Sequence, residues 1–182
     1  MKFDAKAALS VWPVDVVLGG SIFKIGPQPA LYWILHILED DLFGMVMDGV
    51  SSKDYDRIED EILYGNLTAD DCVKSAKDAI AAVSGTYWWS AVKLVIVANQ
   101  RADLCGELCL ARVDPSRVSL AAYVSSVYAL IVRNADDKQR SKIRMEIEAV
   151  PPGVSVMERY DPDVAADQFE AFMASRSRAT QT

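Results

Sequence analysis

Residues 14–26 read VDVVLGGSIFKIG. Two runs rich in β-branched residues, Val14–Leu18 and Ser21–Ile25, flank the pair Gly19-Gly20. A glycine pair supplies the positive φ that a two-residue hairpin turn requires, so the stretch predicts an antiparallel hairpin. In the second arm Ile22 and Lys24 take one face, and Phe23 and Ile25 take the other. An isolated two-stranded hairpin is marginal in water and must pack on something. Nearly everything that follows reads as helix. The expected fold is therefore mainly α: an N-terminal β-hairpin packed on a bundle of about five to six helices.

Working outward, Pro27 and Pro29 lead into ALYWILHILEDD, which is apolar almost all round and predicts a well-buried helix. Gly44 and Gly49 read as loop punctuation. SSKDYDRIEDEILYG is amphipathic, with Tyr55, Ile58 and Ile62 on one face and Gly65 as its stop. Thr68-Ala-Asp-Asp71 approximates a capping box, and Cys72, Ala76, Ala79, Ile80 and Val83 follow at helical spacing up to Gly85. A long helix is expected from about Thr86 toward Arg112, weakened at Gly106. Asp114-Pro115 reads as the N-cap and first residue of the next helix, SRVSLAAYVSSVYALIVRN. DDKQRSKIRMEIEAV predicts a largely solvated helix with a narrow face of Ile143, Ile147 and Val150. Pro151-Pro152-Gly153 marks a boundary, giving a hairpin-plus-helix domain over 1–150 and an appendage over 151–182. The appendage is expected to hold a short helix from Asp161-Pro162, carrying Phe169, Phe172 and Met173, and then a disordered tail.

The chain has 182 residues, 51% of them hydrophobic and 25% charged, with a net charge of −7. That composition can build a packed core. The negative sign disfavours phosphate backbones and anionic bilayers, so neither nucleic acid nor membrane is an expected partner. The N-terminus, MKFDAKAALSVWPVDVVLGG, is broken by Pro13 and Asp15 and does not read as a signal peptide. The uncharged run between Arg117 and Arg133 is too short for a bilayer that needs about 20 residues. A soluble cytoplasmic protein is expected. Cys72, Cys105 and Cys109 are odd in number and predict no disulfide framework.

The search for chemistry turns up little. His36 is the single histidine, set in an apolar helix, and reads as a buried or half-buried helix residue before it reads as a catalytic base. Cys105 and Cys109 share a helical face but lack the partners zinc requires, and read as small core residues. Asp56 and Glu59 have the E-x-x-E-like spacing of a metal-binding pair in helical nucleotide hydrolases, with no second pair to match. Asp70 and Asp71 suit a helix N-terminus. No phosphate-binding glycine loop is present. No cofactor, metal or catalytic residue is expected.

What remains is apolar surface. The helices around Trp33, Trp88 to Ala98 and Leu120 to Val132 carry apolar groups on more than one face. Trp33, Trp88, Trp89, Tyr123 and Tyr128 are the candidate partner-binding residues, with plain core as the competing reading. Trp88 and Trp89 point about 100° apart on a helix, so one can enter the core while the other meets a partner.

The order of motifs resembles a known family. A hairpin on LGG is followed by the aromatic helix PALYWILHIL, then G-x-L-T-x-x-D at Gly65–Asp71, then SG and the cluster TYWWSAVKL at 84–94. This order is similar to that of the tail assembly chaperones of long-tailed phages of actinobacteria, over roughly residues 14–100. The resemblance implies a non-enzymatic oligomeric protein of the infected host's cytoplasm, absent from the mature virion. Its implied partners are the tape measure protein, whose apolar helices it keeps soluble during tail assembly, and itself or a longer frameshifted version. This chain would correspond to the short frame product. Two other readings stand beside it: a structural tail or head–tail connector component of the virion, and a helical metal-dependent nucleotide hydrolase.

Overall fold

The computed structural model describes residues 13–152 and Val154. The short helix expected from Asp161 and the tail beyond it lie outside the described residues. Two compact units divide the chain, one ending at Glu148 and one beginning at Ala149, and the architecture below is that of the first. It is mainly helical, with an N-terminal antiparallel hairpin, as expected.

Strands β1 (Val14–Leu18) and β2 (Ser21–Ile25) pair in the register Val14↔Ile25, Val16↔Phe23 and Leu18↔Ser21. Gly19 and Gly20 both have positive φ, +55° and +79°, the conformation of a two-residue turn whose twist matches its strands. Val16, Leu18, Phe23 and Ile25 are buried on one face, while Asp15, Val17, Ile22 and Lys24 face out. Burying each inward side chain is worth about 1.5–3 kcal/mol, which the hairpin can realise only against another element.

That element is α4 (Ala69–Ser84), which packs on β1 and also touches α2 (Leu42–Gly49), α5 (Trp88–Gln100) and α7 (Leu120–Val132). The expected capping box is formed. The Asp71 amide donates to Thr68 Oγ1 at 3.2 Å, and the Thr68 amide donates to Asp71 Oδ2 at 2.9 Å. The Thr68 hydroxyl, which donates to Asp71 Oδ2 at 2.7 Å, and then the Thr68 amide hold the Asp71 carboxyl below the usual carboxylate range. At the other end Gly85 takes φ +67° as the left-handed cap. Cys72, Ser75, Ala76, Ala79 and Ile80 form the buried face. Its small residues suit a close approach, and Ser75 Oγ donates to the Val17 carbonyl at 2.7 Å, tying β1 to the helix.

Helix α1 (Ala30–Leu38) follows Pro29 and lies on α2, α5 and α7. Its first amides are satisfied by the loop before α7: Ala30 N donates to the Val118 carbonyl and Leu31 N to Pro115, both at 2.8 Å. The segment expected to be a loop around Gly44 and Gly49 is helical instead, as α2. Each glycine serves a close approach. The Asp41 carboxylate caps the helix by accepting from Gly44 N at 2.8 Å and leans over the space a Cβ would fill. The Gly49 carbonyl accepts from Gly26 N at 2.9 Å, and a Cβ there would meet Tyr32 Oη at 2.6 Å and Ile25 Cγ2 at 2.7 Å.

Helix α3 (Ser52–Leu63) sends Ile58 into the core, and Arg57 reaches β2, donating to Ser21 Oγ and lying 4.9 Å over the Phe23 ring. The long helix expected over 86–112 is two: α5, and α6 (Ala102–Leu110). They part at Arg101, whose backbone is extended, and not at Gly106, which sits inside α6. The bend lets Leu104 and Leu108 turn inward where α6 packs on α7. Asp114-Pro115 forms a turn, with Asp114 Oδ1 accepting from Ser116 N, so the N-cap of α7 is Ser119. Helix α8 (Asp137–Glu148) has no fully buried residue and rests through Ile147.

At the Gly49 junction the space is closed by two side chains from other elements, Ile25 and Tyr32. Gly49→Ala should lower stability by about 1–3 kcal/mol, because Ile25 and Tyr32 must both shift to admit the methyl group. Urea unfolding checks this, and an unchanged midpoint would contradict it.

Candidate partner-binding surface

The aromatic candidates are placed mostly inside. Trp33 is 2% exposed and meets Tyr32 edge-on, with ring centroids 5.3 Å apart. Tyr123 is buried, and that burial raises its phenol pKa. Trp89 is 3% exposed. Its ring stacks on Tyr87 at 4.6 Å and meets Trp88 edge-on at 5.8 Å. Trp88 is half-buried under Lys77, whose ammonium sits 4.7 Å from the ring centroid. Tyr128 is half-buried against the core. Trp33, Trp89 and Tyr123 are thus core residues, a correction to their reading as contact surface. The adjacent tryptophans divide as their angular separation requires, Trp89 in and Trp88 at the margin.

Trp89 has a further role that the sequence did not signal. Its indole N–H donates to the Glu148 carbonyl at 3.2 Å. One residue on, Ser90 Oγ donates to the Ile147 carbonyl at 3.1 Å, and Lys93 Nζ reaches the Glu146 carbonyl at 3.0 Å. Three donors on the first turns of α5 therefore cap the last carbonyls of α8, which have no partners within their own helix. Because α8 brings little apolar area, these bonds carry much of its attachment.

The apolar groups that do face solvent lie elsewhere. On α1, Leu31, Leu35 and Leu38 are 38%, 49% and 37% exposed. Their spacing of four and three residues draws one stripe along the helix, across from Trp33 and Ile37 in the core and beside the buried Ile34. An all-round apolar pattern predicts a well-buried helix but gives no inward direction, so it does not single out this stripe. On the hairpin, Val17 and Ile22 are cross-strand neighbours on the outer face, next to the Asp15–Lys24 ion pair.

The α1 stripe ends in acid. Glu39, Asp40 and Asp41 follow it, and Asp48 lies nearby at the end of α2. Asp40 takes the left-handed conformation, φ +54°, that turns the chain into α2. The His36 ring lies between the two helices, with Nδ1 3.8 Å from Asp41 Oδ2 and Nε2 3.7 Å from Asp48 Oδ2. The carboxylates approach opposite ring nitrogens, so one ion cannot be shared among the three. Next to it the Tyr32 hydroxyl donates to the Met45 carbonyl, and its pKa is raised by burial and then by Asp48 and Asp41.

The remaining candidates stay apart. Cys105 and Cys109 are exposed, not core as expected, and Cys105 Sγ lies 3.2 Å from the Ala98 carbonyl. Asp56 and Glu59 sit exposed on α3. Among the described residues no three His, Cys, Asp or Glu side chains gather where a metal ion would fit, and no single helix is long and apolar enough to cross a membrane. The chain matches no protein-family model, no curated protein and no solved structure.

Trp89→Phe keeps a ring against Tyr87 and deletes the indole donor. We expect a loss of about 1 kcal/mol. Amide hydrogen exchange over 142–148 should accelerate while the hairpin and α4 hold their protection. Unchanged exchange in α8 would show that the indole bond does not anchor it.

Proposed function

We propose that this chain is a non-enzymatic tail assembly chaperone that holds the apolar helices of a tape measure protein in solution in the cytoplasm of an infected bacterium. The reading starts from the motif order over residues 14–100. The observation that best supports it is the leucine stripe on α1, an apolar helix face left outside a core that is already filled. A holding protein needs such a face, together with an exterior charged enough to stay soluble, and this chain carries −7. A long client offers many similar helices, so weak contacts repeated by several copies, or by a longer frameshifted version, would sum to durable binding.

Co-expression with the long helical protein encoded beside it tests the proposal. The client should stay in the soluble fraction with this chain and precipitate without it. A client equally insoluble in both cases would overturn the reading. Stoichiometric recovery of the chain from purified particles would assign it to the virion structure instead.

A further inference from the structure

The α1 surface has a chemical direction as well as an apolar one. Leu31 to Leu38 spans about 10 Å, two turns, the length over which one helix seats on another. The stripe repeats at four and three residues, which suits helical anchors in register and not the two-residue alternation of a strand. At its C-terminal end stand Glu39, Asp40, Asp41 and Asp48, all exposed. Among the described residues none of the four is bridged to a lysine or arginine; Asp41 and Asp48 flank His36, and Asp41 also caps α2 through Gly44 N. The C-terminal pole of α1 adds its own partial negative charge at that end.

From this geometry we infer that the outer face of α1 is a docking site for an amphipathic helix. The leucines or similar residues of that helix cover Leu31, Leu35 and Leu38, and its lysines or arginines lie over Glu39, Asp40 and Asp48. The site rests on the chaperone reading only for the identity of its natural occupant. A cationic helix is the occupant that the charges select. A second copy of this chain brings another −7 and the same acidic end, so self-pairing through this face works against like charge.

The test is fluorescence anisotropy with the full chain. One labelled probe is a helical peptide with leucines at three- and four-residue spacing and lysines at one end; the second probe replaces the lysines by glutamates. The lysine probe should bind about tenfold more tightly than the glutamate probe, and added salt should weaken it. Leu35→Asp should weaken it by about tenfold or more. Leu35 is half-exposed, so circular dichroism and the melting temperature of this variant should stay near the parent. If Leu35→Asp does not fold, the exposed pair Glu39→Lys with Asp48→Lys replaces it and should abolish the preference for the lysine probe. Equal binding of both probes, no binding of either, or binding untouched by these variants would overturn the site. A dimer that Leu35→Asp dissociates would give the face to a second copy and overturn it too. Peptide binding as described with failed co-expression leaves the site standing and removes the chaperone reading. Successful co-expression that Leu35→Asp leaves intact does the reverse.

Discussion

A two-stranded hairpin cannot cover its own apolar face, and the rest of this structure follows from where that face goes. Val16, Leu18, Phe23 and Ile25 turn inward together. Strand β1 is met by α4, whose buried face is built largely from Ser75, Ala76 and Ala79, and β2 by α2. Small side chains let a strand lie close to a helix, and the bond from Ser75 Oγ to the Val17 carbonyl uses that proximity. Having taken β1, α4 is also the helix on which α2, α5 and α7 converge. Its ends are set firmly, by the Thr68–Asp71 box and by Gly85. Gly49 closes the other side, where the chain passes Ile25 and Tyr32 with no room for a methyl group.

This core takes in Phe23, Trp33, Trp89 and Tyr123, which changes what the surface can do. Trp33, Trp89 and Tyr123 are spent on packing, and Trp89 spends its one polar atom on the end of α8. The adjacent tryptophans at the start of α5 are therefore a joint between two helices. Among the apolar groups left outside, Leu31, Leu35 and Leu38 are set in a row, with carboxylates at one end. A contact surface of that kind discriminates by helical register and by charge, not by aromatic pockets.

Features governed by a local rule were legible in the sequence. The hairpin could be read from Gly19-Gly20 between alternating arms, and the boundaries of α4 from its capping box and Gly85, because each depends on residues a few positions apart. Features decided by distant contacts were not. Gly49 looked like a breaker, yet it is required where Ile25 and Tyr32 approach the helix. Gly106 looked like the weak point of a long helix, but the chain bends at Arg101, where Leu104 and Leu108 must turn toward α7. Three of the five aromatic candidates, Trp33, Trp89 and Tyr123, turn out buried for a related reason. Aromatic residues drew attention for their size, whereas inside and outside on α1 depend on which neighbours, α2, α5 and α7, happen to cover it.

The central claim is a division of apolar groups: Trp33 and Trp89 in, the α1 leucines out. Solvent paramagnetic relaxation in NMR, with a soluble gadolinium chelate added to the free protein, reads that division directly. The account predicts strong broadening of the Leu31, Leu35 and Leu38 methyl signals while the indole N–H signals of Trp33 and Trp89 persist. Protected leucine methyls alongside a broadened Trp89 indole would contradict it.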